Sequence, residues 1–263
     1  MTTAHDLVSS ASAKIGGFGS AFYFVPETAE VAKEHGLDVF RLYFLGRGGV
    51  LGDVDAPVVA AAFGFFEPAF ITKMWTSAQK HGDLTPRAAA ELYFATAGDF
   101  GRRNFAEVEG LQSFCDAAEK IVAAIDPAGL PLFAGVSHQA LADDLPARAM
   151  QLIVVLREFK GDVHLTSVLA SGLPAKIAHG IRRPDFWQAF GYPADAAPEG
   201  TDEERALLDR ADELTARLVE PAYATLSTSE GDALTAGLAA IEAAMPANAT
   251  IQRDKNPAKN ARQ

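Results

Sequence analysis

Residues 146–160 are apolar on nearly every side of a helix, and residues 152–156 form an unbroken apolar run. A helix that is apolar all round must be enclosed by other elements, because a surface helix keeps a polar face. Apolar residues recur at helical spacing along the rest of the chain, whereas the alternating pattern of strands is nearly absent. The sequence therefore predicts an all-α protein, a multi-helix bundle with few or no strands.

Glycine, proline and short polar residues divide the chain into helices. The predicted helices cover residues 6–15, 27–35, 38–45, 58–65, 68–81, 86–97, 105–125, 137–142, 146–160, 163–171, 174–181, 201–226 and 229–245. Residues 46–52 are predicted to be a glycine-rich loop, and residues 130–135 a short extended connection. We expect an N-terminal helical domain over 1–145, a C-terminal helical region over 146–249 and a disordered tail over 250–263.

Size and charge limit the classes of partner. A chain of 263 residues can bury a large core. Its net charge of −11 argues against sequence-independent binding to nucleic acid or to an anionic membrane. It has no charge-free apolar stretch of about 18 residues and no secretory signal, so no membrane span is expected. The single cysteine, Cys115, fits a reducing compartment, and we predict a cytoplasmic protein.

A group of ionisable side chains follows the apolar run directly. We expect Gly161 to end one helix and Asp162 to begin the next, which would bring Glu158, Asp162 and His164 together at a helix–helix corner. Two carboxylates and an imidazole can share protons or bind a divalent metal. Capping and local ion pairing with Arg157 would explain the same residues without a function. Their spacing matches no established metal signature, so no metal site is predicted.

His164 would then lie in the first turn of its helix. The positive end of the helix dipole opposes an imidazolium there, so a neutral ring is expected.

Arg47 lies in the predicted glycine-rich loop among apolar neighbours such as Phe44. The loop lacks the sequence of a phosphate-binding loop or of a dinucleotide fingerprint. A guanidinium in apolar surroundings needs an anionic partner, which could be Glu67, Glu158 or a ligand carboxylate. Glu67 either caps the helix that follows it or faces a pocket lined by aromatic rings such as Phe66. The many aromatic residues allow an apolar cavity for a small molecule.

Residues 163–171 and 174–181 flank Gly172 and have the dimensions of a helix-turn-helix. Arg182 and Arg183 follow them. The second helix offers only Lys176 and His179 as polar groups for reading bases, so DNA binding is an alternative hypothesis.

The residues at 42–54, 66–69 with Trp75, 156–164 and 211–223 resemble a family of actinobacterial proteins of similar length, often labelled "helix-turn-helix". Its members generally have Arg-Glu-His-Arg-Gly-Asp-Gly-His at the main motif, where this chain has Phe159 and Lys160 in place of the first histidine and the second arginine. Glu67 stands where asparagine is usual. The resemblance implies a winged helix-turn-helix near the C-terminus, but residues 186–201 contain no convincing wing hairpin.

These patterns predict a helical protein that binds a small hydrophobic or aromatic molecule at a buried polar site, with an enzymatic role left open. The catalytic candidates are Glu158, Asp162 and His164. The ligand-binding candidates are Arg47, Glu67, Arg157, Phe44 and Phe66. A ligand-responsive DNA-binding regulator and a non-catalytic carrier are the alternatives. The cofactor is not specified, and a homodimer remains open.

Overall fold

The fold consists of packed α-helices. A computed structural model describes residues 3–193 and 197–246, which contain twelve α-helices, two short 3₁₀ helices and no strand. The predicted all-α class is confirmed. The helices are α1 (Ala4–Phe18), α2 (Pro26–Glu34), α3 (Val39–Gly49), α4 (Ala56–Phe63), α5 (Pro68–His81), α6 (Pro86–Phe105), α7 (Leu111–Ala123), α8 (Pro131–Ser137), α9 (Leu145–Ala170), α10 (Ala175–Arg182), α11 (Asp202–Tyr223) and α12 (Thr228–Ala244).

Short polar side chains and prolines begin these helices. Thr3, Thr201 and Ser227 form capping boxes at α1, α11 and α12, in which the side chain accepts a hydrogen bond from the third helical residue. Asp144 accepts a hydrogen bond from the backbone of Ala147 at the start of α9. These contacts satisfy backbone donors that have no partner inside the helix.

Helix α9 lies at the centre of the bundle. It packs against α1, α6, α7, α8 and α11, and residues 152–156 are all buried. Its burial on every side agrees with the apolar character of residues 146–160. The side chains that follow this run on α9 are therefore held inside the protein as well.

The predicted break at Gly161 is wrong. Helix α9 continues through it to Ala170, and Gly161 keeps an ordinary helical φ angle. Tertiary packing along α9 outweighs the modest helix penalty of one glycine. Asp162 therefore starts no helix, and the helix–helix corner proposed for Glu158, Asp162 and His164 does not exist.

The predicted loop at residues 46–52 is also largely helix, because α3 continues to Gly49. Its glycines permit close packing. A Cβ atom at Gly46 would lie 2.5 Å from Cβ of Tyr93, and one at Gly49 would lie 1.9 Å from the carbonyl oxygen of Pro86. Both neighbours belong to α6, so the glycines let α3 approach α6 closely instead of forming a flexible turn.

Residues 130–135 were expected to be extended, but most of them belong to α8, and the helix expected at 137–142 does not form. Leu130 offers no capping side chain at the start of α8. Instead, the carboxylate of Asp162 on α9 accepts a hydrogen bond from the backbone nitrogen of Phe133 at 2.9 Å. A cap supplied from a distant residue leaves no local sequence signal.

The largest hydrophobic core includes residues on both sides of position 145, and a smaller core joins α9, α10 and α11. The domain division at residue 145 stays a prediction. The predicted disordered tail lies outside the described residues. Within the described ranges, no helix is both long and apolar enough to cross a membrane.

The continuity of α9 gives a test with two glycines. A Cβ atom at either Gly161 or Gly172 meets no atom within 4 Å, but Gly172 has a φ angle of +84° and Gly161 does not have a positive φ. We expect Gly161→Ala to raise the free energy of unfolding by roughly 0.5–1 kcal/mol, because alanine is the better helix residue. Gly172→Ala should lower it by about 1–2 kcal/mol. Urea denaturation measures both, and destabilisation by Gly161→Ala would contradict the continuous helix.

Candidate functional site

A buried ion pair joins α3 to α9. Arg47 donates from Nε to Oε1 of Glu158 at 2.9 Å and from Nη2 to Oε2 at 2.8 Å. The side chains are only 13% and 4% exposed. Two parallel hydrogen bonds fix the orientation of both groups. Glu158 directly follows the buried run of α9, and the close packing of α3 brings Arg47 within its reach.

A second arginine shares the same carboxylate. Arg157 donates from Nη1 to Oε1 of Glu158 at 2.8 Å, and its side chain is 24% exposed. Its guanidinium also lies 5.2 Å from the centre of the Tyr23 ring. Gly19 makes room for it, since a Cβ atom there would lie 2.6 Å from Cδ of Arg157. One carboxylate therefore serves two cations.

Three tyrosines surround these charges. Tyr43 accepts a hydrogen bond from Nη1 of Arg47 at 3.2 Å, and the ring of Tyr23 lies 5.1 Å from that of Tyr43 and 5.9 Å from that of Tyr93. The hydroxyl groups of Tyr23 and Tyr93 are buried and have no hydrogen-bond partner among the described residues. Such a group normally costs stability, so its presence needs a reason.

We call these six residues the arginine–tyrosine cluster. Its members are Arg47, Arg157, Glu158, Tyr23, Tyr43 and Tyr93. Burial by itself would raise the pKa of Glu158, but the charges and hydrogen bonds of the two arginines outweigh burial and lower it. Burial raises the pKa values of Tyr23 and Tyr93, so both phenols stay protonated. The cluster thus contains two cations and one anion.

Asp162 lies one helical turn beyond Glu158 but has a different partner, the backbone of α8. Burial, with a smaller contribution from the charge of Glu158, raises the pKa of Asp162 to about 7. The hydrogen bond from Phe133 lowers the pKa and only partly offsets burial. Asp162 therefore connects α9 to α8 and has no hydrogen bond to the cluster.

His164 points to another part of the protein. Six residues along a helix correspond to about 120° around its axis from Glu158. The imidazole stacks on Phe65, and its Nδ1 atom lies 3.2 Å from the hydroxyl oxygen of Thr215 and 3.7 Å from Oδ1 of Asp212. Burial lowers the His164 pKa to about 4. The ring is neutral as expected, but because of burial and not because of a helix N-terminus.

The other predicted ligand-binding residues, Glu67, Phe44 and Phe66, are not members of the cluster. Glu67 caps α5 by accepting a hydrogen bond from the backbone of Phe70 at 2.8 Å, which is the capping alternative. Phe44 and Phe66 are buried and pack edge to face, with ring centres 5.2 Å apart. Phe63 contacts both and lies 4.3 Å below the guanidinium of Arg47.

In the sequence, Tyr23 and Tyr43 are two of the many aromatic residues that can form the core and an apolar cavity, and nothing singles out Tyr93. A signal existed for Tyr43, because it precedes Arg47 by four residues and such pairs share a helix face. Tyr23 lies in the turns between α1 and α2, and Tyr93 lies on α6. Only tertiary packing brings these two tyrosines close to the arginines and to Tyr43.

Two cavities lie away from the cluster. One of about 370 Å³ is lined by residues 53–56 with Trp75, Thr76 and Gln79. The other, of about 350 Å³, lies between α9 and α11 and is bordered by Phe159 and Val163. Across residues 3–193 and 197–246, no group of three or more histidine, cysteine, aspartate or glutamate side chains is placed to hold a metal ion.

The helix pair α9–α10 turns at Gly172, as the sequence predicted, but the lysine and arginine side chains on α10 and directly after it have partners. Arg182 is ion-paired with Asp212, and Arg183 with Asp185. The ammonium of Lys176 lies 5.3 Å from the ring centre of Tyr192.

One face of α10 is also covered by the chain that follows it. Pro198 lies so close to Gly180 that a Cβ atom there would come within 2.3 Å of it. The described residues contain no strand, so no wing hairpin accompanies the pair within them.

The ion pair can be tested by removing its carboxylate. Glu158→Met leaves two arginines without their counter-charge, and we expect a loss of about 3–5 kcal/mol in unfolding free energy. The double substitution Arg47→Met with Glu158→Met should lose less than the sum of the two single losses. Glu119→Met is the control, because Glu119 makes one half-exposed contact of 3.4 Å with Arg148 and should cost within about 1 kcal/mol. Equal losses in Glu158→Met and Glu119→Met would contradict the buried pair.

The raised pKa of Asp162 predicts a pH dependence. At pH values between its ordinary pKa of 3.8 and about 7, the unfolded carboxyl group ionises while the folded one stays protonated, so stability falls as pH rises. Asp162→Asn does not ionise, and its amide oxygen can still accept the hydrogen bond from Phe133. Stability measured by urea denaturation across this range should therefore rise in the variant relative to the wild type and level off above pH 7. A constant difference would exclude this titration.

Comparison with models of protein families identifies the family of this chain. A model of a helix-turn-helix family matches residues 8–252, which is nearly the whole chain. None of the curated proteins and none of the solved structures matches it. Because the match extends far beyond α9 and α10, it describes the entire helical bundle. The chain belongs to this helix-turn-helix family.

Proposed function

We propose that the arginine–tyrosine cluster binds a small molecule with an aromatic or hydrophobic body. The observation that carries this proposal is the pair of buried hydroxyl groups of Tyr23 and Tyr93, which have no partner among the described residues. A ligand with a polar group could accept hydrogen bonds from both. Phe22 and Phe63, which contact members of the cluster, would pack against its apolar part.

Two exposed phenylalanines next to the cluster indicate where a ligand would enter the protein. Phe24 and Phe40 are 44% and 43% exposed, and their rings lie 5.1 Å apart. Phe24 also contacts Tyr23 and Tyr43. Phe24 and Tyr23 belong to the turns that connect α1 to α2. Because Tyr23 and Tyr93 are buried, we expect these turns to move when the ligand enters.

Binding is better supported than catalysis. Glu158 is held ionised between two arginines and is a poor proton acceptor. Asp162 is occupied by the backbone of α8, and His164 by Thr215 on α11. The catalytic roles of these three residues stay predictions, and a carrier or sensor of a small molecule needs none of them.

A ligand-responsive DNA-binding regulator remains the alternative, favoured by the family to which the chain belongs. A recognition helix needs a free face that reaches base edges in the major groove. Helix α10 has eight residues, its Gly180 is buried under Pro198, and Arg182 and Arg183 already pair with acids. These contacts weigh against this alternative.

The unpaired hydroxyls give the test of the proposal. In Tyr23→Phe and Tyr93→Phe, a buried donor without a partner is removed, and each substitution should raise the unfolding free energy by about 1 kcal/mol. Tyr192→Phe is the matched control, because the hydroxyl of Tyr192 donates to the carbonyl oxygen of Phe65 at 3.2 Å. Its loss should lower the unfolding free energy by about 1 kcal/mol.

The substitutions Tyr23→Phe and Tyr93→Phe should weaken ligand binding, although they stabilise the free protein. Benzoate and benzamide serve as flat single-ring probes at millimolar concentration, and at least one should raise the melting temperature of the wild type. The increase should disappear in the double variant Tyr23→Phe with Tyr93→Phe and persist in Tyr192→Phe. Failure of both probes to bind, or an increase that survives in the double variant, would refute the proposed function.

A further inference from the structure

We infer that the ligand of the arginine–tyrosine cluster is a carboxylic acid bound as its monoanion. This inference rests on the proposed function and adds the charge of the ligand to it. Arg47 and Arg157 share the single carboxylate of Glu158, so one positive charge in a largely buried site remains without a counter-charge. A ligand with one negative charge would neutralise it.

The nearby groups do not supply that charge. The phenols of Tyr23 and Tyr93 are protonated, and Tyr43 accepts a hydrogen bond from Arg47. Asp162 faces the backbone of α8 and is mostly protonated below neutral pH. Glu67 is used at the start of α5.

Arg157 is the group through which the ligand would be recognised. Both oxygens of Glu158 are engaged by Arg47, whereas Arg157 makes one hydrogen bond to Glu158 and is the most exposed of the three side chains. Its planar guanidinium matches a carboxylate in shape. The hydroxyls of Tyr23 and Tyr93 are further donors, so the surroundings of the ligand would be rich in donors and poor in acceptors.

The amount of surplus charge favours a carboxylate over a phosphate ester. A phosphate group carries about 1.5 to 2 negative charges at neutral pH, which exceeds the single charge to be neutralised. The aromatic rings around the cluster give a carboxylate with an apolar body more contacts than a small inorganic anion would have.

The test compares benzoate with benzamide, which has nearly the same shape but no charge. Isothermal titration should show that the wild type binds benzoate about tenfold or more tightly than benzamide, as expected for hydrogen bonds to a charged group. The preference should disappear in Arg157→Gln. Arg148→Gln is the matched control, because Arg148 is also a partly buried arginine on α9, but its carboxylate partner is Glu119. It should keep the preference of the wild type.

The outcomes separate the inference from the proposed function. If benzamide binds as tightly as benzoate, and the double variant Tyr23→Phe with Tyr93→Phe binds neither, the charge assignment is overturned but the proposed function is intact. The absence of binding by either probe would overturn both. Inorganic phosphate that displaces benzoate at equal concentration would overturn the carboxylate assignment in favour of a free anion site. A preference that survives in Arg157→Gln would also overturn it.

Discussion

The bidentate ion pair between Arg47 and Glu158 is the interaction on which the organisation of this bundle depends. Helix α9 is enclosed along most of its length, so a charged side chain in its buried part cannot reach water. Glu158 therefore requires a cation from another helix. Arg47 supplies it from α3, which packs against α6, and in this way links α3 to α9. Arg157 adds a second cation at the edge of the same carboxylate.

Glycine residues make this arrangement sterically possible. Gly46 and Gly49 remove side chains where α3 meets α6, and Gly19 removes one where the end of α1 meets Arg157. In the sequence alone, the glycines around Arg47 indicated a loop, because glycine is common in turns and unfavourable in helices. The same residues have a different role in the packed protein. They allow helices to approach until backbone and ring atoms touch.

The sequence was sufficient for the parts of the fold that depend on local patterns. The all-α class, the central position of residues 146–160 and the start of α5 at Pro68 follow from apolar spacing and helix caps. Glu158 was also predictable as one of the possible partners of Arg47, because a buried guanidinium needs an acid. Features that depend on long-range packing were not predictable: α9 crosses Gly161, and α8 is capped by Asp162 from another helix. The positions of Tyr23 and Tyr93 had no sequence signal, for the same reason.

Most buried polar side chains elsewhere in the described chain have hydrogen-bond partners, unlike the hydroxyls of Tyr23 and Tyr93. Gln151 donates to the carbonyl oxygen of Phe94 and accepts from the backbone of Ala142, and Ser167 and Thr215 donate to carbonyl oxygens of their own helices. Within residues 3–193 and 197–246, one further buried side-chain nitrogen or oxygen has no hydrogen-bond partner, Nε2 of His179, whose ring stacks on Phe190.

A phenylalanine in place of either tyrosine would fill nearly the same space without an unpaired donor, and a core selected only for stability would favour it. Two unsatisfied donors beside two arginines and a single carboxylate have a common explanation, which is an acceptor that the free protein does not contain. An acceptor with a negative charge satisfies the hydroxyls and the surplus cation together, whereas a neutral group satisfies only the former.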